Sequence, residues 1–131
     1  TSTTAQRKVI NYLIKRGNDP IKVTDTTIHK WWNVLNNAVF DGMLPAPTTI
    51  EIKHHVEAYA YIWQYDTETV CLSIRPMFSC RTLFLNVLVH EMVHAWEHSM
   101  GKSMSHSRRF RAWAPIISQS TGLSLQRIYH E

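Results

Sequence analysis

The chain has few cysteines and lacks a long apolar run. Cys71 and Cys80 are too few for a disulfide framework and do not form a C-x-x-C pair, so we expect reduced thiols. No apolar stretch approaches the roughly 20 residues that cross a bilayer, and no membrane association is expected. Thr1 to Thr4 have no apolar signal-peptide core. These absences predict a cytoplasmic protein, or one in the host cytoplasm or nucleoid if it is viral.

Acidic residues are scarce in the last third of the chain, where Glu131 alone follows His98. The net charge is +4, and the basic residues of this segment are Lys102, Arg108, Arg109, Arg111 and Arg127. Such a balance is compatible with a nucleic-acid partner, but it equally suits a solvated surface. The 131 residues are 44% hydrophobic with five Trp and five Tyr, enough for one domain with a real core.

The spacing of apolar residues predicts short helices and strands. Helices are expected over 6–16, 26–40 and 83–98, and strands over 48–53, 58–65 and 69–75. A last helix should begin near Ser105 or His106. Pro115 should kink or split it, because proline removes a backbone donor. The expected fold class is α+β, with helices packed on a small, mostly antiparallel sheet of three strands.

We divide the chain into an N-terminal helical extension, 1–24, and a main domain, 25–131. Residues 1–5 are polar and should fray. A turn at 17–20 ends the first helix, and Thr24 or Asp25 can cap the second. Either the extension packs on the domain or it forms an arm that contacts a partner, and the sequence does not decide between them.

The stretch from Leu83 to His98 contains the spacing H-E-x-x-H at His90, Glu91 and His94. Residues i and i+4 of a helix lie on the same face, so two imidazoles can share one Zn²⁺ there. Glu91 is then placed to take a proton from water. About two turns of apolar residues lead into the motif without Gly or Pro, as in a buried active-site helix. The alternative is an ordinary core helix.

A catalytic zinc needs a third protein ligand. His98 lies about 12 Å along the helix axis from His90, too far to share an ion, and Glu97 lies on a poor face for a ligand. His106 follows a loop long enough to fold back over the helix and should begin the next one, so it is the preferred ligand. Competing histidines are His54, His55 and His130, while His29 is expected at the surface.

Several segments together resemble the SprT-like zinc metallopeptidases, the family of Spartan. Phe40-Asp41-Gly42-Met43-Leu44-Pro45 resembles the family's F-D-x-x-L-P turn after an opening helix. Cys71 to Arg75 is similar to the strand before the active-site helix, and Val87 to Trp96 to the L-x-H-E-x-x-H-A core. Ser105 to Phe110 is similar to the H-G-x-x-F segment, with Ser107 in place of the usual Gly. The likeness extends over roughly 28–122.

This resemblance implies a zincin-like minimal metalloprotease domain in which Zn²⁺ is held by His90, His94 and His106. Glu91 would be the catalytic base, and the substrate would be a protein, including proteins near or crosslinked to DNA. Contacts to single-stranded DNA would come from Lys102, Arg108, Arg109 and Arg111, which lie close in sequence to the third ligand. The cysteine-rich zinc ribbon of many family members is not present in these 131 residues, which include only two cysteines. Tyr59, Tyr61 and Arg75 are candidate oxyanion stabilisers. Alternatives are a processing protease without nucleic acid, and a zinc-stabilised DNA- or protein-binding module without turnover.

Overall fold

A computed structural model of the chain describes residues 2–66, 68–102, 105–127 and 129. Its helices and strands follow one another as an α+β fold, which confirms the predicted class. The helices are α1 (Thr4–Arg16), α2 (Asp25–Val39), α3 (Arg81–Ser99), α4 (Arg108–Arg111) and α5 (Trp113–Thr121). The strands are β1 (Ile21–Lys22), β2 (Thr49–Ile52), β3 (Ala60–Trp63), β4 (Cys71–Ile74) and β5 (Met77–Phe78).

Three strands form the larger sheet, in the order β2-β4-β3. The β3–β4 pair is antiparallel, whereas β2 runs parallel to β4. With the antiparallel β1–β5 pair, two of the three strand pairs in the described residues are antiparallel. The parallel pair was not foreseen, because residue patterns do not reveal which strand lies between two others. The strand order places β3 at one edge of the sheet, where it contacts α3.

The N-terminal extension packs on the rest of the fold, which answers the question that the sequence left open. Val9 is fully buried, and the Gln6 side chain donates to the Ala38 carbonyl at 3.0 Å. The Gly17 carbonyl accepts from both the amide and the hydroxyl of Thr82, at 3.0 and 3.1 Å. A Cβ on Gly17 would lie 2.6 Å from that hydroxyl, so the close approach requires glycine. The division at residue 24 stays a prediction.

Helix α1 also starts earlier than expected. It begins at Thr4, with Thr3 as its cap, and the side chain of Gln6 bonds back to the Thr3 amide in a capping box. The frayed start predicted for residues 1–5 is therefore wrong in the described part, because paired side-chain and backbone bonds satisfy the first amides. Thr24 caps α2, as predicted.

A side chain inside α2 holds the turn that follows this helix. The Asn36 amide group donates to the Leu44 carbonyl at 2.9 Å and its oxygen accepts from the Leu44 amide at 3.1 Å. Asn36 is only 8% exposed, so both backbone groups are paired away from water. The turn itself uses the left-handed region at Asp41 and Gly42, with φ of 53° and 73°. The turn thereby fixes the chain direction into the sheet.

Helix α3 passes through the centre of the core. Apolar residues surround it on several sides, and the turns that carry the motif are almost entirely buried. A helix that is apolar all round is expected to lie inside a protein. Its cap residue is Cys80, whose side chain makes no capping hydrogen bond.

The last predicted helix is divided in two. A short α4 begins at Arg108, so His106 precedes the helix and does not begin it. The break lies at Ala112, and Pro115 sits in the first turn of α5. A missing amide costs no helical hydrogen bond in that first turn, because those amides have no partner inside the helix. The split was predicted, but its position was three residues too late.

Candidate metal centre

A cleft of about 430 Å³ lies between the buried face of α3 and the strand β3. Residues 57–62 form one wall, and His90, Glu91 and His94 of α3 lie at its floor. His106, Arg127 and Tyr129 close it from the C-terminal side. The cleft therefore brings together the predicted catalytic residue and the three preferred metal ligands.

Two of the imidazoles are locked by partners on their far side. His90 Nδ1 lies 2.8 Å from the carbonyl oxygen of Gln126, and His94 Nδ1 lies 2.9 Å from Glu97 Oε1. A carbonyl oxygen can only accept, and a carboxylate accepts when ionised, so each Nδ1 carries the proton. The lone pair of each Nε2 therefore points into the cleft, which is the tautomer that a metal needs.

The third imidazole meets the other two at their Nε2 atoms. His106 Nε2 lies 3.2 Å from His90 Nε2 and 3.3 Å from His94 Nε2. Two nitrogens bound to one tetrahedral zinc at 2.0–2.1 Å lie roughly 3.3–3.4 Å apart. A single N–H of His106 cannot serve both lone pairs at once, whereas one cation satisfies all three. Both the spacing and the donor chemistry therefore fit a metal ion.

Phe110 supports all three rings from behind. Its ring centroid lies 5.0 Å from that of His90 and 4.9 Å from those of both His94 and His106, and the residue is 1% exposed. Phe110 is the first buried residue of α4. It thus couples the position of the exposed His106 segment to the ligands of α3. The role of Phe110 was not predicted, although an aromatic residue four positions after His106 was a visible signal.

Burial controls the charge of these groups. Burial, with further effects from neighbouring histidines, lowers the pKa of His90 and of His94 to about 4 in each case, although the Gln126 bond opposes the shift at His90. The pKa of His106 is also lowered, by burial and then by Arg127. The imidazoles of His90 and His94 are therefore neutral at pH 7, the form that binds metal.

Glu91 is 7% exposed, and burial raises the pKa of its carboxyl to about 8. Its Oε1 atom lies 4.0 Å from His90 Nε2, so the carboxyl stands beside the metal-binding nitrogens without occupying their place. A nearby cation would favour the ionised form and oppose the effect of burial. The position suits a base that exchanges protons near neutral pH.

Glu97, which helical geometry excluded as a metal ligand, instead accepts the hydrogen bond of His94, one of the three candidate ligands. It is 0% exposed, and Arg109 Nε lies 3.7 Å from its Oε2. Burial raises the pKa of the Glu97 carboxyl, while the Ser105 backbone amide and then Arg109 oppose that shift. A carboxyl three residues after His94 on one helix was a usable sequence signal for this contact.

The segment after α5 contributes the remaining contacts. The Ser124 amide donates to Asn86 Oδ1 at 2.9 Å, which ties the segment to α3 and presents the Gln126 carbonyl to His90. The Tyr129 hydroxyl donates to the Ser124 carbonyl at 2.8 Å and accepts from the Gln126 amide. Burial raises the pKa of Tyr129 to about 12, so its hydroxyl stays protonated. No residue pattern indicated these contacts, which depend on tertiary proximity.

The competing histidines lie elsewhere. His98 Nε2 contacts the Asp66 carbonyl at 3.0 Å, His55 Nε2 lies 2.6 Å from Ser73 Oγ, and His29 lies 3.6 Å from Asp25. Among the described residues, the group of side chains that could hold a metal consists of His90, His94 and His106. His130 lies outside the described residues, as does Glu131.

The predicted DNA-contacting residues divide into two sets. Lys102, Arg108 and Arg111 are exposed, whereas Arg109 turns toward Glu97. Of the candidate oxyanion stabilisers, Tyr59 and Tyr61 line the cleft. Arg75 instead donates to the carbonyls of Ala58 and Val56, at 2.9 and 3.2 Å. Arg75 therefore supports the cleft wall from behind.

None of the helices in the described part of the chain combines the length and apolarity needed to span a membrane. No curated protein is similar enough to the chain to count as a match. The model of the SprT-like family, in contrast, matches residues 28–130. That range contains the metal centre and Glu91, while α1 and β1 lie outside it. Since the match extends over most of the chain and agrees with the α+β fold, the protein belongs to the SprT-like family.

Proposed function

We propose that the protein is a zinc-dependent metallopeptidase that hydrolyses peptide bonds in proteins bound to DNA. The observation that carries this proposal is the meeting of three Nε2 atoms at 3.2 and 3.3 Å. Two of the three imidazoles are held in the metal-binding tautomer by Gln126 and Glu97. All-imidazole sites with an open fourth position are typical of catalytic zinc.

His90, His94 and His106 would hold the ion. Zinc at this site supplies Lewis acidity, which makes water more acidic and polarises a carbonyl. The open cleft in front of the three nitrogens leaves room for a substrate. Family membership supports the choice of zinc over other divalent cations.

Glu91 acts as the general base and then as the acid. Its carboxylate takes a proton from the attacking water and delivers it to the nitrogen of the leaving amine. Glu91 lies at the floor of the cleft, and a cation held by the three imidazoles would favour its ionised form, which is the form that accepts a proton. His90 and Glu91 are consecutive residues, so the base and a ligand are placed by the same helical turn.

The cleft wall suits an extended polypeptide. Strand β3 is at the edge of its sheet and lines the site, so a substrate strand would add to the sheet along this edge. Tyr59, Tyr61 and Ile62 give this wall an apolar and aromatic surface. These features favour a protein substrate over a small polar molecule.

The link to DNA rests on charge near the third ligand. Lys102, Arg108 and Arg111 are exposed on both sides of His106 in the sequence. Exposed cations in one short segment attract phosphates in a salt-dependent manner. A DNA-bound protein would thereby be brought close to the cleft.

The test compares wild type with Glu91→Gln, in self-cleavage and in cleavage of an unfolded protein, each with and without single-stranded DNA. We expect Glu91→Gln to retain zinc and to lose at least about 10²-fold in rate, because it cannot accept the proton. Glu68→Gln, at an exposed acid, is the matched control and should cleave normally.

Each outcome favours one function. Cleavage that increases with DNA and decreases with salt supports the proposal. Equal cleavage with and without DNA supports a processing protease. Zinc binding without any cleavage by wild type supports a binding module, and unchanged cleavage by Glu91→Gln would contradict the mechanism.

A further inference from the structure

Glu97 is a buried carboxyl that the proposed reaction does not use. It lies in the last turns of α3, is 0% exposed, and faces away from the cleft. Burial of a carboxylate is costly unless charged or hydrogen-bonding groups compensate it. Its surroundings therefore need an explanation.

Beside the Ser105 backbone amide, two side chains face this carboxyl, and they belong to different parts of the metal centre. Oε1 accepts from His94 Nδ1 at 2.9 Å, and Oε2 lies 3.7 Å from Arg109 Nε, an ion pair that is too long for a hydrogen bond. Arg109 belongs to α4, three residues after His106. The backbone adds a further link, since the Lys102 amide donates to the Glu97 carbonyl at 2.8 Å. Glu97 thus links His94, the second ligand, to Lys102 and Arg109, which lie on either side of His106, the third ligand, in the sequence.

We propose that Glu97 is a positioning residue that assembles the metal centre, orienting His94 directly and the His106 segment through Arg109. The inference rests on the proposed metal site, but it concerns the construction of the site and not the reaction. Glu97 would not contact the metal or the substrate.

The comparison between the two α3 ligands explains why a carboxylate is useful here. His90 is oriented by a neutral carbonyl, that of Gln126, while His94 is oriented by a group that can carry a full charge. Hydrogen bonds to an ionised acceptor are roughly twice as strong as neutral ones, and they increase the basicity of the opposite ring nitrogen. His94 should therefore be the stronger donor and the ligand that is most sensitive to its partner.

Glu97→Gln is the direct test, because it keeps the shape and removes the charge. Zinc affinity is measured by competition with a chromophoric chelator, and the ligand geometry by the visible absorption of the Co²⁺-loaded protein. We expect zinc binding to weaken about 10- to 100-fold, with an altered Co²⁺ spectrum. Glu68→Gln is the control, since it makes the same chemical change at an exposed carboxylate away from the site and should bind zinc as wild type does.

Arg109→Met tests the second half of the proposal, with Arg111→Met, at an exposed arginine of the same short helix, as its control. We expect Arg109→Met to weaken zinc binding several-fold and Arg111→Met to leave it unchanged. Should Glu97→Gln not fold when the metal is chelated, as judged by circular dichroism, the Arg109→Met pair decides by the same criterion.

The inference is overturned if Glu97→Gln folds and keeps the zinc affinity and Co²⁺ spectrum of wild type. It is also overturned if Glu97→Gln only lowers the unfolding temperature of the chelated protein, since that result describes an ordinary structural residue. Neither result touches the proposed function, which depends on cleavage by wild type and its loss in Glu91→Gln.

Discussion

Phe110, whose ring packs against all three imidazoles, offers a test of how the metal centre is held in place. Substitution by leucine keeps an apolar side chain but removes the ring that contacts all three imidazoles. The fold should lose about 1–2 kcal/mol, from three fewer buried carbons and an imperfectly filled space. The effect on the metal is separate, because the ring also sets the positions of the ligands.

The size of that second effect follows from the ring contacts. An aromatic pair at about 5 Å is worth roughly 0.5–1.5 kcal/mol beyond its buried area. His106 lies outside any helix and is exposed, so its contact with Phe110, at 4.9 Å, is a main constraint on its orientation. Loss of this one contact corresponds to about a 2- to 12-fold decrease in zinc affinity.

Two assays separate the effects. Urea denaturation in the presence of a chelator gives the stability of the metal-free fold, and chelator competition gives zinc affinity. Phe84→Leu is the control, because Phe84 is 0% exposed on α3 but packs on Phe78, with ring centroids 5.5 Å apart. Both variants should lose similar stability, and Phe110→Leu alone should lose zinc affinity. Equal zinc affinity in the two variants would refute the reasoning.

Two further predictions concern charge and the turn after α2. In the metal-free Glu91→Gln variant, the full free energy of unfolding should be present above pH 6.5. It should decrease as the pH falls toward 4, by on the order of a few kcal/mol in total, because His90 and His94 bind protons in the unfolded chain that the buried imidazoles do not bind in the folded one. The stability of the metal-free wild type should depend less on pH, because the raised pKa of Glu91 favours the folded state at low pH. If the stability of the variant in urea denaturation did not change with pH, the result would contradict this account. Asn36→Ala should cost about 2–4 kcal/mol in urea denaturation, because it leaves both backbone groups of Leu44 unpaired in a buried place. Asn37→Ala, at an exposed neighbour, should change little, and equal losses would show that the turn does not depend on Asn36.

The local parts of this protein could be predicted from the sequence because they depend on near neighbours in the chain. The i, i+4 spacing places His90 and His94 on one face of any helix, and Thr24 caps α2 by a contact three residues away. The rejection of His98 followed from the axial rise of a helix alone. Recognition of the SprT-like pattern also rested on ordered local motifs.

The closing of the site depended on contacts between distant parts of the chain. The parallel pairing of β2 with β4 and the split of the last helix at Ala112 were not readable from spacing. Nor was the use of Gln126 and Glu97 to orient two ligands, although Glu97 lies only three residues from His94. Residue patterns report which side chains share a face, but a tautomer and a nitrogen–nitrogen distance of 3.2 Å are set by how separate segments pack. The sequence by itself therefore determined which residues can bind the metal, and only the tertiary structure decided that their nitrogens meet.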